Sequence, residues 1–338
     1  MEAFLKSNSL DRLCDALNST LTLDESVALL DEGRPALLAK LKELGVRKPP
    51  DLSAFAKAVA NARREIMGSG APVLVCMYSA GVTQTSGNSL LAPCISAAKA
   101  KGLTDVVVLD HHNFPPFDAH TDFTVYVQAL YDTVIAGQAD RATRPWVLLA
   151  HSHGATGCYG LARLLGPRLR AFVVLGRRAA HVELIDDVFG CATGQAIKEL
   201  GLHKLTQQLA RVYVNPTLEA ATSDEDASKW LPMFKEVADI VMAQYSSPVS
   251  LCDAEGIERA IGSSPVQIGA PIIAVVSRTE TEKGETREKV ARWAELTKGA
   301  FALEVAECDH MDLPANPAVI KLFADEVARV VGESKPNL

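Results

Sequence analysis

The stretch AHSHGATG, from Ala150 to Gly157, follows the apolar run WVLL and precedes the helical pattern YGLARLLG. A serine at a sharp turn from a strand into a helix is typical of a nucleophile elbow, which exposes the hydroxyl at the edge of a sheet. The residues two before and two after that serine must be small, because strand and helix approach closely there. Ala150 and Gly154 meet this requirement. The pattern predicts Ser152 as a nucleophile; a tight turn with a capping serine is the alternative.

Six short apolar runs, rich in β-branched residues, recur along the chain with helical segments between them. They cover residues 73–77, 105–109, 146–150, 172–175, 272–276 and 301–305. Near-continuous hydrophobic strands that alternate with helices are typical of a mostly parallel sheet covered by helices on both faces. We therefore expect an α/β fold. Its last helix carries an apolar stripe, formed by Ile320, Phe323, Val327, Val330 and Val331.

The first part of the chain has a different pattern from the rest. Residues 1–68 are charged, lack strand-like runs and show helical patterns around RPALLAKLKELGV and DLSAFAKAVANARREI, with Pro49 and Pro50 between them. We expect a small helical unit there and a large domain over residues 69–338. Between the fourth and fifth apolar runs lies a long interval, which predicts a helical lid at about residues 179–268.

Composition excludes several classes of protein. The 338 residues are 48% hydrophobic, enough for a large core, and a net charge of −7 offers no basic face for nucleic acid. Seven cysteines form no CxxC pair, which argues against a zinc knuckle or a disulfide framework and favours a reducing compartment. No apolar window reaches the roughly 18 residues of a membrane span, and the start lacks a signal-peptide pattern. We expect a cytoplasmic protein.

A nucleophilic serine needs a base, usually a histidine that a carboxylate orients. In this type of fold the order along the chain is serine, acid, histidine. His310 follows the last strand and is the only histidine after residue 203. The acid should follow the preceding strand, where the sequence SRTETEKGE offers Glu280 and Glu282 but no aspartate. We predict Glu280 as the acid, with Glu282 as the alternative.

The negative charge that develops during acyl transfer needs two backbone N–H donors. One should come from His153, the residue after the predicted nucleophile. The other should follow the first strand, where the sequence reads MYSAGVTQTSG, and the small residues at this turn favour Ala80. An ordinary glycine turn is the alternative there.

These motifs resemble those of α/β-hydrolase thioesterases, most of all the stand-alone type II thioesterases of polyketide and nonribosomal peptide biosynthesis. The matching stretches are YSAGV (78–82), AHSHG (150–154), GRRAA (176–180) and CDHMDL (308–313), and the similarity spans about residues 70–333. The resemblance implies an α/β-hydrolase fold with Ser152 as nucleophile and His310 as base. It also implies Ala80 and His153 as the donors of the oxyanion hole.

The resemblance further implies hydrolysis of acyl thioesters carried by an acyl carrier protein or by coenzyme A, of the polyketide, fatty-acid or nonribosomal peptide type. It implies no metal or redox cofactor. Asp110, His111 and His112 are similar to a phosphoesterase metal triplet but lack the upstream carboxylates that such a site needs, so no metal is expected. The segment LKELGV, in the helical unit, loosely resembles interaction domains of the SAM type.

The sequence departs from the family pattern at several points. Ala150 replaces a glycine, His153 a methionine and Ser79 a histidine, and the acid position lacks its aspartate. A carboxylesterase or an acyltransferase with the same fold would share the triad and differ only in the lid and the acceptor, so either is an alternative function. A non-catalytic binding protein with a degenerate triad, whose helical unit docks a partner, is another.

Overall fold

The structure, a computed structural model, describes residues 1–17, 20–32, 34–67, 70–78, 84–109, 123–179, 225, 267–283 and 287–334. The chain divides into two compact units, Met1–Ser69 and Gly70–Leu338. The predicted lid at residues 179–268 lies almost entirely outside the described residues.

The Met1–Ser69 unit is helical. Its apolar side chains, among them Leu5, Leu37, Leu41 and Phe55, form a core of their own. The helices cover Glu2–Ser7 (α1), Cys14–Leu17 (α2), Leu23–Glu32 (α3), Arg34–Glu43 (α4) and Pro49–Met67 (α5), with a 3₁₀ turn at Asp11–Leu13. Pro49 and Pro50, which we expected between two helices, instead open α5. Proline suits the first turn because its φ is already helical and the N–H it lacks would have no partner within the helix.

Helix α3 begins with a capping box, in which a side chain at the helix start and one three residues later pair with each other's backbone. The backbone N–H of Thr22 donates to Glu25 Oε2 at 2.7 Å, and the N–H of Glu25 donates to Thr22 Oγ1 at 3.1 Å. Two N–H groups at the start of α3 thereby gain partners. This capping box lies at the surface.

Among its described residues, the Gly70–Leu338 unit contains a six-stranded sheet in which every pairing is parallel. The strands are Val73–Met77 (β1), Asp105–Leu109 (β2), Trp146–His151 (β3), Leu169–Leu175 (β4), Ile272–Ser277 (β5) and Phe301–Ala306 (β6), in the order β2-β1-β3-β4-β5-β6. All six predicted strands form. β4 begins three residues earlier than predicted, because Leu169 already pairs with Trp146 of β3.

Helices cover both faces of this sheet, as predicted. They span Gln84–Ala100 (α6), Phe123–Ala136 (α7), Gly154–Leu165 (α8), Arg278–Lys283 (α9), Arg287–Ala291 (α10) and Pro317–Ser334 (α11). Side chains alternate along β1: Val73, Val75 and Met77 join the core under α7 and α8, whereas Leu74 and Cys76 join the core under α6 and α11. The predicted stripe of α11 centres on Val319, Phe323, Val327 and Val330.

The strand order has a topological switch point between β1 and β3. α6 follows β1 on one face of the sheet and α8 follows β3 on the other, because β2 and β3 are added on opposite sides of β1. Ligands of open α/β sheets bind at such a switch point. None of the helices formed by the described residues has both the length and the apolar composition that a membrane span requires.

Candidate active site

Ser152 lies at the sharp turn between β3 and α8. Its φ is +52°, a left-handed conformation that is uncommon for a residue with a side chain. The neighbouring strand holds this turn in place, because the backbone N–H of Ser152 donates to the carbonyl oxygen of Leu175 at 2.7 Å. Strained backbone of this kind persists only where the surrounding structure fixes it, and it concentrates at functional sites.

The two small residues of the elbow are required by close backbone approach. A Cβ on Gly154 would lie 2.6 Å from the carbonyl oxygen of Met77 and 2.7 Å from that of Tyr78. Backbone atoms of β1 cannot move aside as a flexible side chain would. Ala150, two residues before the serine, is fully buried and pairs with Met77 in the sheet. The geometry agrees with the elbow predicted from the sequence.

His310 begins the 3₁₀ turn that follows β6, and its side chain is buried. Its ring lies against Gly176, the residue after β4, where a Cβ would come within 2.7 Å of His310 Nδ1. Gly176 also has a φ of +64°. Only glycine meets both conditions without strain, so Gly176 leaves room for the histidine ring.

Glu280 and His310 form a buried pair. Glu280 Oε1 lies 2.6 Å from His310 Nδ1, and the glutamate side chain is fully inaccessible. Because an ionised carboxylate only accepts hydrogen bonds, Nδ1 carries the proton of this bond, and in the neutral form of the ring Nε2 then has the lone pair. Of the two predicted acids, the structure brings Glu280 to His310, whereas Glu282 is exposed on α9.

The second oxygen of the Glu280 carboxylate belongs to a capping box at the start of α9. The backbone N–H of Ser277 donates to Glu280 Oε2 at 3.0 Å, and the N–H of Glu280 donates to Ser277 Oγ at 3.2 Å. Burial alone raises the pKa of Glu280, but His310 and the hydrogen bonds from His310 and Ser277 outweigh it and lower the pKa. The carboxylate is therefore ionised at neutral pH.

Three further contacts, made by Thr279 and Arg278, join the acid-bearing segment 278–280 to the histidine-bearing segment 307–310. The hydroxyl of Thr279 lies 2.9 Å from the carbonyl oxygen of Cys308 and 2.7 Å from Asp309 Oδ1. Arg278 donates to Glu307 Oε1 at 2.8 Å on the exposed side. The segments thus run side by side, and the Glu280–His310 bond is the buried member of the series.

Ser152 is connected to this pair through its chain neighbour His151. The Nε2 atom of His151 lies 2.9 Å from the carbonyl oxygen of His310, and the two imidazole rings are 4.7 Å apart. Leu175, which binds the N–H of Ser152, is followed directly by Gly176 beneath the His310 ring. Ser152, His310 and Glu280 therefore lie at the same carboxyl edge of the sheet.

The predicted oxyanion donors are placed in part. His153 is the residue before α8, so its backbone N–H lies at the amino end of that helix, where the helix dipole favours negative charge. Ala80 lies outside the described residues. So do Asp110, His111 and His112, the triplet that we set aside as a metal site. Within the described ranges no three His, Cys, Asp or Glu side chains are grouped as a metal site requires.

The parallel sheet, the elbow after β3, the acid after β5 and the histidine after β6 together define an α/β-hydrolase fold. Solved structures similar to this chain include the RedJ thioesterase from the prodiginine biosynthetic pathway in Streptomyces coelicolor. It is 20% identical, with 76% of this chain and 84% of that chain covered and a TM-score of 0.45. The type II thioesterase BorB from the borrelidin biosynthetic cluster is 20% identical, with 78% and 96% covered and a TM-score of 0.45.

A lipase-esterase related protein from Clostridium acetobutylicum is 15% identical, with 78% of this chain and 94% of that chain covered and a TM-score of 0.40. Comparison with protein-family models and with curated protein sequences finds no match. At these identities and TM-scores the similarity carries no argument about chemistry, and the site is interpreted from its own geometry.

Sequence reasoning missed four residues that shape the site: Gly176, Ser277, Thr279 and His151. Two of them had a readable signal. Ser277 and Glu280 have the S-x-x-E spacing of a capping box directly after a strand, which distinguishes Glu280 from Glu282. A glycine directly after β4 indicates a special backbone conformation. The contacts of Thr279 and His151 join segments far apart in the chain and leave no local pattern.

Proposed function

We propose that the Gly70–Leu338 unit is a serine hydrolase in which Ser152 is the nucleophile, His310 the general base and Glu280 the orienting acid. The observation that carries this proposal is the buried 2.6 Å bond between Glu280 and His310, at the same sheet edge as the strained turn of Ser152. Glu280 fulfils the role that an aspartate has in the related pattern. This pairing counts against the non-catalytic alternative.

The reaction follows from the proton positions. Glu280 accepts a hydrogen bond from Nδ1–H of His310, and in the proposed reaction Nε2 takes the proton of the Ser152 hydroxyl as its oxygen attacks the acyl carbon. The tetrahedral oxyanion is stabilised by backbone N–H groups, for which we propose His153 and Ala80. When the intermediate collapses, His310 returns the proton to the leaving group and the acyl group stays on Ser152. Water, deprotonated by His310, then releases the acid and restores the serine.

The substrate class we propose is an acyl thioester, attached to coenzyme A or to the phosphopantetheine arm of an acyl carrier protein. The support is the motif set of the sequence, above all GRRAA at 176–180, because a generic hydrolase has no need of this stretch. Gly176 of this stretch lies against His310, so the motif borders the site. A carboxylesterase or an acyltransferase would share the same triad.

The test is hydrolysis of a graded series of acyl-coenzyme A and acyl-pantetheine thioesters, with matched oxygen esters as controls, by the wild type and by Ser152→Ala. We expect the wild type to prefer thioesters and the variant to lose activity by about four orders of magnitude or more. A preference for oxygen esters would replace the thioesterase assignment by an esterase. Equal inactivity of both proteins towards every substrate would refute the hydrolase.

We assign partner recruitment, not chemistry, to the Met1–Ser69 unit, which has its own core and none of the triad residues. Deletion of residues 1–68 should then leave the turnover of small acyl-pantetheine substrates unchanged. It should weaken the turnover of carrier-bound substrates, measured by mass spectrometry of the carrier. Equal loss with both substrates would contradict this assignment.

A further inference from the structure

His151 is a buried histidine that the proposed chemistry does not use. It is the last residue of β3, directly before Ser152, and its side chain is completely inaccessible. Its only hydrogen bond among the described residues joins Nε2 to the backbone carbonyl oxygen of His310 at 2.9 Å. A side chain next to the nucleophile thus holds the backbone of the base.

The chemistry of this bond fixes the state of the ring. A carbonyl oxygen only accepts, so His151 Nε2 must carry the proton. Burial, followed by the neighbouring charge of His310, lowers the pKa of His151 to about 3. The ring is therefore neutral near pH 7, and its Nδ1 is an acceptor. That nitrogen is fully buried and has no hydrogen-bond partner among the described residues.

A buried acceptor without a partner is unfavourable, and an apolar residue would avoid it. The Nε2–H bond to His310 is what a histidine gains at this position over an apolar side chain. Because His151 is the chain neighbour of Ser152, this bond links the backbone beside the serine to the backbone of His310. The Glu280 bond, in contrast, fixes the direction of the imidazole ring.

We propose that His151 is a positioning residue: its Nε2–H holds the backbone of His310 so that the His310 ring meets Glu280 on one side and faces Ser152 on the other. The contact of the His310 ring with Glu280 concerns the geometry of that pair and does not require catalysis. The orientation of the ring towards Ser152 rests on the proposed function.

Three substitutions of His151 distinguish the effect of losing its hydrogen-bond donor from the effect of changing its side-chain volume. His151→Gln keeps an amide N–H near the Nε2 position, so the bond to the His310 carbonyl is retained. His151→Leu removes the donor and leaves an apolar side chain. His151→Asn keeps an amide that is too short to reach, and it provides a second donor-deficient protein if the leucine variant does not fold. Circular dichroism and thermal unfolding establish which variants are folded.

The first readout is the downfield proton resonance of the Glu280–His310 hydrogen bond, observed by NMR and assigned by its absence from His310→Gln. We expect the wild type and His151→Gln to show this resonance at similar positions. In the folded donor-deficient variants it should move upfield or broaden beyond detection. An unchanged resonance in a folded leucine or asparagine variant would overturn the proposal, whether or not the protein has hydrolase activity.

The second readout is the rate at which a fluorophosphonate labels Ser152. We expect the donor-deficient variants to react roughly ten to a hundred times more slowly, because small misplacements of catalytic groups are costly, while His151→Gln stays within about threefold of wild type. Absence of labelling in the wild type would refute the proposed function, and the NMR result would still decide the position of His310. Equal labelling of all four proteins would refute the positioning role.

Discussion

Two capping boxes occur among the described residues, and they differ in what the glutamate side chain binds. Thr22 and Glu25 form a capping box at the surface of the helical unit, and Ser277 and Glu280 form one that is buried at the sheet edge. In both, one carboxylate oxygen accepts a backbone N–H. The two boxes differ in the other carboxylate oxygen. In the buried box Oε1 of Glu280 binds His310, whereas among the described residues no histidine binds Oε1 of Glu25.

This comparison shows how a glutamate can serve where related patterns have an aspartate. A glutamate side chain has one more methylene and so one more rotatable bond, which makes its carboxylate harder to position. The capping box removes this freedom by fixing Oε2 to the start of α9. The remaining oxygen is then directed at His310 by the helix itself. An element of secondary structure takes over the positioning that a shorter side chain would provide.

The largest expected effect is that of Glu280→Gln. The amide keeps the shape of the carboxylate but loses its charge, so His310 is no longer held in the tautomer that leaves Nε2 as base. We expect kcat to fall by about three to four orders of magnitude, as in triads whose acid is replaced by an amide. Steady-state kinetics on the best thioester measures the loss. Glu282→Gln and Glu25→Gln are the matched controls, and an equal loss in either would contradict the assignment of the acid.

Both boxes should make the stability of the fold depend on pH, because the pKa values of Glu25 and Glu280 are both lowered. The lowered pKa of Glu280 means that the folded state binds its proton less readily than the unfolded chain. The stabilisation is thus complete above about 4.5, the ordinary pKa of glutamate, and is lost as the pH falls through the lowered value. Between pH 6 and pH 3, the Tm of thermal unfolding should fall less steeply in Glu280→Gln than in the wild type. Parallel declines would show that the charge of Glu280 contributes nothing to folding.

A smaller effect is expected when the cap itself is removed. Ser277→Ala deletes the oxygen that accepts the N–H of Glu280, which should lower the free energy of unfolding by about 1 kcal/mol. Because Ser277 Oγ also holds the backbone of Glu280, its loss should misplace the carboxylate slightly, and kcat should fall by about tenfold. Thr22→Ala removes the corresponding cap in the surface box and should affect stability alone. If both variants had the same kcat as wild type, the cap would have no part in positioning Glu280.

The smallest effects on kcat are expected when the contacts beside the Glu280–His310 bond are removed one at a time. Thr279→Val keeps the shape of the side chain but removes the hydroxyl that reaches Cys308 and Asp309, and we expect a fall in kcat of about threefold to tenfold with little change in KM. Arg278→Ala breaks an exposed ion pair with Glu307. Such pairs contribute roughly 0 to 1 kcal/mol, so its kcat should stay near that of wild type. A larger loss from Arg278→Ala would reverse the order of importance.

Much of the fold was predictable because its signals are local. Each of the six strands contains a nearly continuous apolar run, and all six strands form at the positions of those runs. The elbow was predictable for the same reason, since Ser152 and Gly154 lie within one turn. The boundary of α5 was wrong because Pro49 and Pro50 suit the first turn of a helix as well as a linker.

The rest depends on contacts between distant segments. Whether Glu280 or Glu282 meets His310 depends on how α9 turns away from β5, and only the capping box, which spans the four residues from Ser277 to Glu280, reveals this locally. The bond from His151 to His310 joins residues 159 positions apart. Periodicity and propensity carry no information about such a pair, because both describe neighbours along the chain.

The most direct test of the central claim is covalent labelling of the wild type by a fluorophosphonate, followed by mass spectrometry of the digested protein. If Ser152, His310 and Glu280 act together, one equivalent of probe attaches to Ser152, and the rate falls steeply in His310→Gln and Glu280→Gln while Glu282→Gln reacts as wild type. Labelling of another residue, or labelling of Ser152 at the same rate in all four proteins, would contradict the claim that these three side chains form a catalytic triad.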